Sequence, residues 1–281
     1  MRPALTCISD ETRPDAQPNS SKQVKHMSDL TGKTGLVAGI ANEHSLAYGC
    51  AKAFRKAGAD LAITYLNEKA EPHVRPLAEG LGSEIIQPMN VTEPDQVEAV
   101  FSAISERWGK LDFLLHAIAY APKDDLHARV TDCSLDGFLT AMNISCHSFI
   151  RLARRAEPLM RENGGCLLTM TFYGSERVVE DYNLMGPVKA ALESSVEYLA
   201  AELGRDEIRV HAISPGPVKT RAASGLADFD ELLEKAKAQA PGRQLVTIDD
   251  VGSVAAFLVS DDARRLTGNA VHVDAGLHVM S

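Results

Sequence analysis

The sequence predicts an α/β protein built on one doubly wound parallel sheet of about seven strands with helices on both faces. Three observations lead there. Seven short runs rich in Val, Ile and Leu recur along the chain, and continuous apolar runs mark strands buried on both faces. Longer amphipathic stretches alternate with them, the pattern of parallel strands joined by helical crossovers. No internal repeat or linker interrupts the chain after residue 30, so residues 29–281 read as a single domain.

The strands are expected at 35–39, 60–66, 84–90, 111–118, 165–171, 208–214 and 270–276. The helices are expected near 45–57, 68–81, 93–108, 135–160, 182–203, 229–239 and 248–259. Ligands in such a sheet lie beyond the carboxyl ends of the strands. The first such loop, "GIANEHSLAYG", ends the strand at Gly39 and offers Ser45 as a helix cap ahead of Leu46. Free N–H groups and the helix dipole there favour a pyrophosphate, although Ala41 stands where the simple G-x-G-x-x-G fingerprint has its second glycine. At the tip of the second strand, "TYLNEK" has no carboxylate for a ribose and Lys69 as the one nearby cation for a 2′-phosphate. NADH is expected over NADPH.

Composition narrows the classes. A net charge of −9 argues against general binding to nucleic acid or anionic membrane. No apolar run reaches the roughly 20 residues needed to span a bilayer. Five scattered cysteines without C-x-x-C, and nine histidines without a zinc spacing, suit a reducing cytoplasmic compartment and give no metal framework. Residues 1–28 are polar and Pro- and Ser-containing, and read as a disordered extension rather than a secretory signal. Adjacent acids at 124–125, 249–250 and 261–262 read as capping or solvated residues.

Tyr182 precedes Lys189 by seven residues at the start of a helical pattern, which would align the phenol and the ammonium two turns apart on one face. By itself the pair is unremarkable; its context is more specific. "GIANEHSLAYG", "LDFLLHAIAYAPKDDL", "YGSERVVEDYNLMGPVKAALESSVEYLAAELG", "IRVHAISPGPVKTRAASG", "VTIDDVG" and "TGNAVHVDAG" occur in register over nearly all of 33–279. Together they resemble the short-chain dehydrogenase/reductase superfamily, and within it the divergent branch of bacterial enoyl-acyl-carrier-protein reductases.

The resemblance implies a Rossmann-like fold, an NADH-dependent reduction of a trans-2-enoyl thioester in fatty acid elongation, acyl carrier protein as substrate carrier, and a homotetramer. Ordinary superfamily members place the catalytic Tyr four residues before the Lys, where this chain has Met185; the enoyl reductase branch has the longer spacing found here. Tyr182 and Lys189 are then the catalytic pair. The cofactor would be met by Gly39, Ser45, Leu46, Leu66, Asn90, Val91, Ile118, Lys189 and Val218 to Ala222, that is Val218, Lys219, Thr220, Arg221 and Ala222. The substrate would meet Ala121, Phe172 and Tyr182. The chain departs from relatives at Asn90 (usually Asp), at Phe172 (often Tyr) and at Pro187, which requires the helix to begin near Tyr182. It also lacks the basic residues some relatives carry after "ASG". Its 217–243 segment holds Lys219, Arg221, Lys235, Lys237 and Arg243 against Asp228, Asp230, Glu231 and Glu234. Carrier docking is therefore expected to be weak.

Three rivals are weighed on the same residues. A ketone or alcohol reductase of the superfamily would want Tyr at 185 and Ser near 169, where the chain has Met185 and Thr169. A hydrolase reading of "AISPG" fails on Ala212 and on Pro215, which removes a donor from an oxyanion site. A catalytically silent dinucleotide-binding protein has no need of an intact Tyr182 and Lys189.

Overall fold

The computed structural model describes residues 28–218 and 229–280. The extension expected over 1–28 therefore lies almost wholly outside the described residues, as do Lys219, Thr220, Arg221 and Ala222. The seven expected strands are present: β1 (Thr34–Ala38), β2 (Asp60–Tyr65), β3 (Ile85–Pro88), β4 (Phe113–His116), β5 (Gly165–Met170), β6 (Ile208–Pro215) and β7 (Asn269–Val273). All pair in parallel, in the order β3-β2-β1-β4-β5-β6-β7. The order reverses between β1 and β4, the switch point beyond which sheets of this kind take their ligands.

Alternation along each strand divides the apolar side chains between two cores. Leu36, Leu114 and Leu167 face helices α3 (Pro94–Trp108), α6 (Ser148–Met160) and α7 (Met185–Leu203). Their neighbours Val37, Leu115 and Leu168 face α1 (Leu46–Lys56), α2 (Glu71–Gly80) and α9 (Ile248–Val259). The sheet is thus covered on both sides, as parallel sheets require. The helix α8 (Phe229–Gln239) follows β6.

Several local expectations are corrected. Expected strand 60–66 stops at Tyr65 and 84–90 stops at Pro88, which leaves Leu66 and Asn90 in the following loops. The stretch 123–127, outside the expected helices, forms a short helix α4 (Lys123–His127). The helix expected over 135–160 is α5 (Leu135–Met142), a π-helical turn at Asn143–His147, and then α6. Widened turns of this kind recur at functional sites. Here Ser145, within the turn, bonds both backbone groups of Tyr120 in the loop after β4: it accepts from the N–H at 2.8 Å and donates to the carbonyl at 2.9 Å.

The acids read as capping residues behave so. Asp250 and Thr247 form a reciprocal capping box at the start of α9, and Asp125 accepts from the Ser134 N–H at 2.7 Å.

Candidate active site

The loop after β1 approaches the end of β4 closely. Gly39 has φ of 115°, and a Cβ there would stand 2.2 Å from the carbonyl oxygen of Ala117. Only glycine fits this turn, which lets the chain pass directly beneath the start of α1. Ser45 is the residue before that helix, but it does not cap it with its side chain. Its hydroxyl instead donates to the Asn42 carbonyl at 2.6 Å and closes the loop on itself. The first-turn N–H groups of α1 thereby take no side-chain partner from Ser45, and Leu46 is the first helical residue.

The helix of the Tyr–Lys pair begins at Met185, so Tyr182 does not share a helical face with Lys189 as the spacing alone suggested. Pro187 sits in the first turn, where its missing N–H costs nothing. Tyr182 lies in the turn before, between Asp181 and Asn183, both at positive φ. The Asn183 amide donates to the Leu126 carbonyl at 3.1 Å and ties this turn to α4. The Tyr182 ring meets Phe172 edge-on at 4.9 Å between centroids. It also lies against Gly174, where any Cβ would come within 2.5 Å of it. Burial and the charge of Glu193 push its phenol well above the ordinary tyrosine range, so it keeps its proton.

Lys189 is buried on α7, and its ammonium donates to the Met170 carbonyl at the end of β5, at 2.7 Å. Burial pulls its pKa down to about 8, against the opposing influence of Glu193. Met185, at the four-residue position, is buried in the core. A proton donor, a cation and an apolar wall therefore gather around the end of β5.

This arrangement has parallels in known proteins. The family profile described as "Enoyl-(Acyl carrier protein) reductase" matches residues 39–278. The chain belongs to the enoyl-acyl-carrier-protein reductase family. It is 46% identical over 251 residues to the Rhizobium meliloti enoyl-[acyl-carrier-protein] reductase [NADH] 1, covering 89% of this chain and 92% of that one. A crystal structure of the Anaplasma phagocytophilum reductase in complex with NAD is 50% identical, has a TM-score of 0.85, and covers 89% of this chain and 95% of that one. The Bacillus cereus reductase, solved with NADP+ and indole naphthyridinone, is 45% identical with a TM-score of 0.88, over 91% and 100% of the two chains.

The other residues singled out from the sequence of this family member lie along the same end of the sheet. Leu66 follows β2 and is 54% exposed. Asn67 beside it turns its side-chain oxygen to the N–H groups of Lys69 and Ala70, each at 3.1 Å. Asn90 follows β3, but its side-chain oxygen is spent on Thr92, accepting from its N–H at 3.1 Å and its hydroxyl at 2.9 Å. That leaves its amide nitrogen as the group available to a ligand. Val91 is buried. Ile118 and Ala121 are half-buried in the loop after β4, and Val218 follows β6.

Sequence reasoning missed the polar groups beneath the site. His116 is fully buried at the end of β4, with Nδ1 2.9 Å from the Thr169 hydroxyl and Nε2 2.7 Å from that of Ser148. Burial and the nearby Lys189 charge lower its pKa to about 3, so it is neutral. Glu193 accepts hydroxyls from both Thr171 and Ser175. The signal for it was its i+4 relation to Lys189 on one helix face.

No metal-binding spacing marks the sequence, yet His272, Asp274 and His278 bring ligand atoms within 4.8 Å of one another at the end of β7. The two imidazoles stack at 3.9 Å with planes only 11° apart. One ion cannot lie in both ring planes in that arrangement. Asp274 is already occupied by the N–H groups of Gly276 and His278, at 3.0 and 2.7 Å.

Proposed function

We propose that this chain is an NADH-dependent enoyl-thioester reductase whose working pair is Tyr182 and Lys189. The observation that carries the choice of residues is the burial of Met185. At the spacing ordinary short-chain reductases use, the core takes the side chain, and Tyr182 is the phenol presented beside Lys189. When bound, NADH would supply the hydride taken up by Cβ of a trans-2-enoyl thioester and leave as NAD+. Negative charge then develops two atoms away, on the thioester oxygen.

Tyr182 donates a hydrogen bond to that oxygen as the charge forms, and its strongly raised pKa holds the proton in place for the purpose. Lys189 holds the ribose hydroxyls, and its charge favours the developing anion. Gly39, Ser45 and Leu46 receive the pyrophosphate. Gly39 supports this because its missing Cβ lets the loop after β1 pack against the Ala117 carbonyl, just ahead of the α1 N-terminus. Leu66, Asn90 and Val91 meet the adenosine, Ile118 the nicotinamide ribose, and Ala121 and Phe172 the acyl chain. Val218 leads into Lys219, Thr220, Arg221 and Ala222, assigned to the carboxamide and phosphates.

The substrate carrier is acyl carrier protein, engaged weakly. Nucleic acid and membrane are not partners, and no described helix is long and apolar enough to cross a membrane. The enzyme works in the cytoplasm as a homotetramer. In support of assembly, Leu135, Phe138 and Leu139 of α5 and Tyr198 of α7 expose apolar surface.

The deciding assay follows NADH oxidation at 340 nm with crotonyl and longer enoyl thioesters, beside ketone substrates of similar length. Turnover of the enoyl thioesters alone is the expected result. Turnover of ketones alone would favour an ordinary short-chain reductase, and none at all a silent dinucleotide-binding protein.

A further inference from the structure

Glu193 takes no part in the steps above, yet it is built into the same few ångströms. It stands one turn beyond Lys189 on α7. Its Oε1 accepts the hydroxyl of Thr171, just before Phe172, and that of Ser175, just after Gly174, the latter at 2.6 Å. Lys189 meanwhile donates to Met170. Two residues of one helix face thus fasten Met170, Thr171 and Ser175, the stretch that carries Phe172 and on which the Tyr182 ring rests. Both hydroxyl contacts converge on one carboxylate oxygen, an arrangement favoured when the acceptor is ionised.

We propose that Glu193 is a positioning residue for the Tyr182–Lys189 pair, clamping the aromatic connection to α7 and supplying the negative charge against which the buried ammonium is set. The inference rests on the function proposed above.

The electrostatic half follows from what surrounds Lys189. Besides Glu193 on its own helix, the groups in electrostatic contact with it are Cys146 in the π-helical turn and His116 at the end of β4; the Tyr182 phenol is set against the same Glu193. His116 is held neutral by burial, and burial also raises the Cys146 thiol above its usual range. The phenol keeps its proton. Glu193 is the charged member of the set, and it acts in the useful direction on both partners, favouring the protonated ammonium and the protonated phenol.

Two substitutions in the full chain separate clamp from charge. Glu193→Gln keeps an oxygen for the two hydroxyls and removes the charge; Glu193→Asp keeps the charge and withdraws it by one methylene. The readouts are the pH dependence of kcat/KM, the NADH dissociation constant across pH, and the titration of the Lys189 Cε by 13C NMR in the protein without cofactor. With Glu193→Gln, the Lys189 titration and the basic limb of both profiles are expected to move down by about one pH unit. Glu193→Asp is expected to lower kcat several-fold with the limb unmoved. An unshifted Lys189 titration in Glu193→Gln overturns the charge role whatever happens to stability. A wild-type kcat in Glu193→Asp overturns the clamp, and does so even if Glu193→Gln fails to fold. Tyr182→Phe, assayed in parallel, tells the two levels apart. If it loses turnover while both Glu193 variants behave as wild type, the inference alone falls. If it keeps turnover, the proposed function falls and takes the inference with it.

Discussion

The ammonium of Lys189 lies 2.7 Å from the carbonyl oxygen of Met170, the last residue of β5. A charge is thereby held in a buried position, with its pKa down at about 8. Because the folded value lies below the unfolded one near 10.5, the folded chain releases its proton first. Stability from this group therefore rises between about pH 8 and 10.5, and its cost is fully present below that window. Lys189→Met should remove that rise: the difference in thermal midpoint, variant minus wild type, shrinks as pH increases through the window. The same variant should bind NADH more weakly at pH 7, read by fluorescence titration.

Tyr182→Phe keeps the ring against Phe172 and Gly174 and deletes the donor. Turnover should fall by an amount equivalent to roughly 2–4 kcal/mol of barrier, with NADH affinity little changed. Steady-state kinetics on a single enoyl thioester checks this; undiminished turnover would contradict the role.

Gly39→Ala tests the loop after β1. The left-handed backbone costs a side chain about 1–3 kcal/mol, and the added methyl would in addition meet the Ala117 carbonyl at 2.2 Å. Both stability and NADH binding should drop, the first by denaturant unfolding and the second by titration. A variant of normal stability that binds NADH as the wild type does would mean that the loop has room to move.

Cofactor choice should follow the exposed tip of β2. Leu66 is apolar, and the Asn67 side-chain oxygen is turned back into its own turn, so neither residue brings a positive charge to a 2′-phosphate. NADH should give the higher kcat/KM, and Leu66→Arg should narrow the gap. A wild-type preference for NADPH would show that Lys69 or a more distant cation reaches the phosphate.

Carrier docking should be only mildly salt-sensitive. Of the two lysines that could contact an acidic carrier from α8, Lys235 is already paired with Glu231 at 2.9 Å. The same enoyl chain on carrier protein and on coenzyme A should differ little in kcat/KM, at low and at high salt. A large, salt-sensitive preference for the carrier protein would place a basic docking surface elsewhere.

Much of the fold is legible in the sequence. Strands β1 to β7 announce themselves because a parallel sheet buried on both faces leaves unbroken apolar runs, and α9 because Thr247 and Asp250 write a cap in the sequence. The site was less legible where backbone geometry overrides periodicity. The run from Tyr182 to Leu203 has helical spacing throughout, but positive φ at Asp181 and Asn183 keeps the phenol outside the helix. The π-helical turn at Asn143–His147 was invisible because one extra residue in a turn leaves no mark on composition. His116 and Glu193 escaped notice because their importance lies in contacts with residues 18 to 53 positions away, including Thr169, Thr171 and Ser175.

That Tyr182 stands outside α7 has a consequence for how this enzyme can be retuned. The lysine is mounted on a rod, fixed by every backbone bond of a 19-residue helix. The phenol is mounted on a joint, whose angle is set by two unusual backbone positions and one amide tether from Asn183 to Leu126. Under the roles proposed for Tyr182 and Lys189, changes in the joint would alter how far the proton donor reaches while leaving the grip on the cofactor where it was. Substrate reach and cofactor hold would then be separately adjustable parts, with substitutions at Asp181 or Asn183 the place to change the one without disturbing the other.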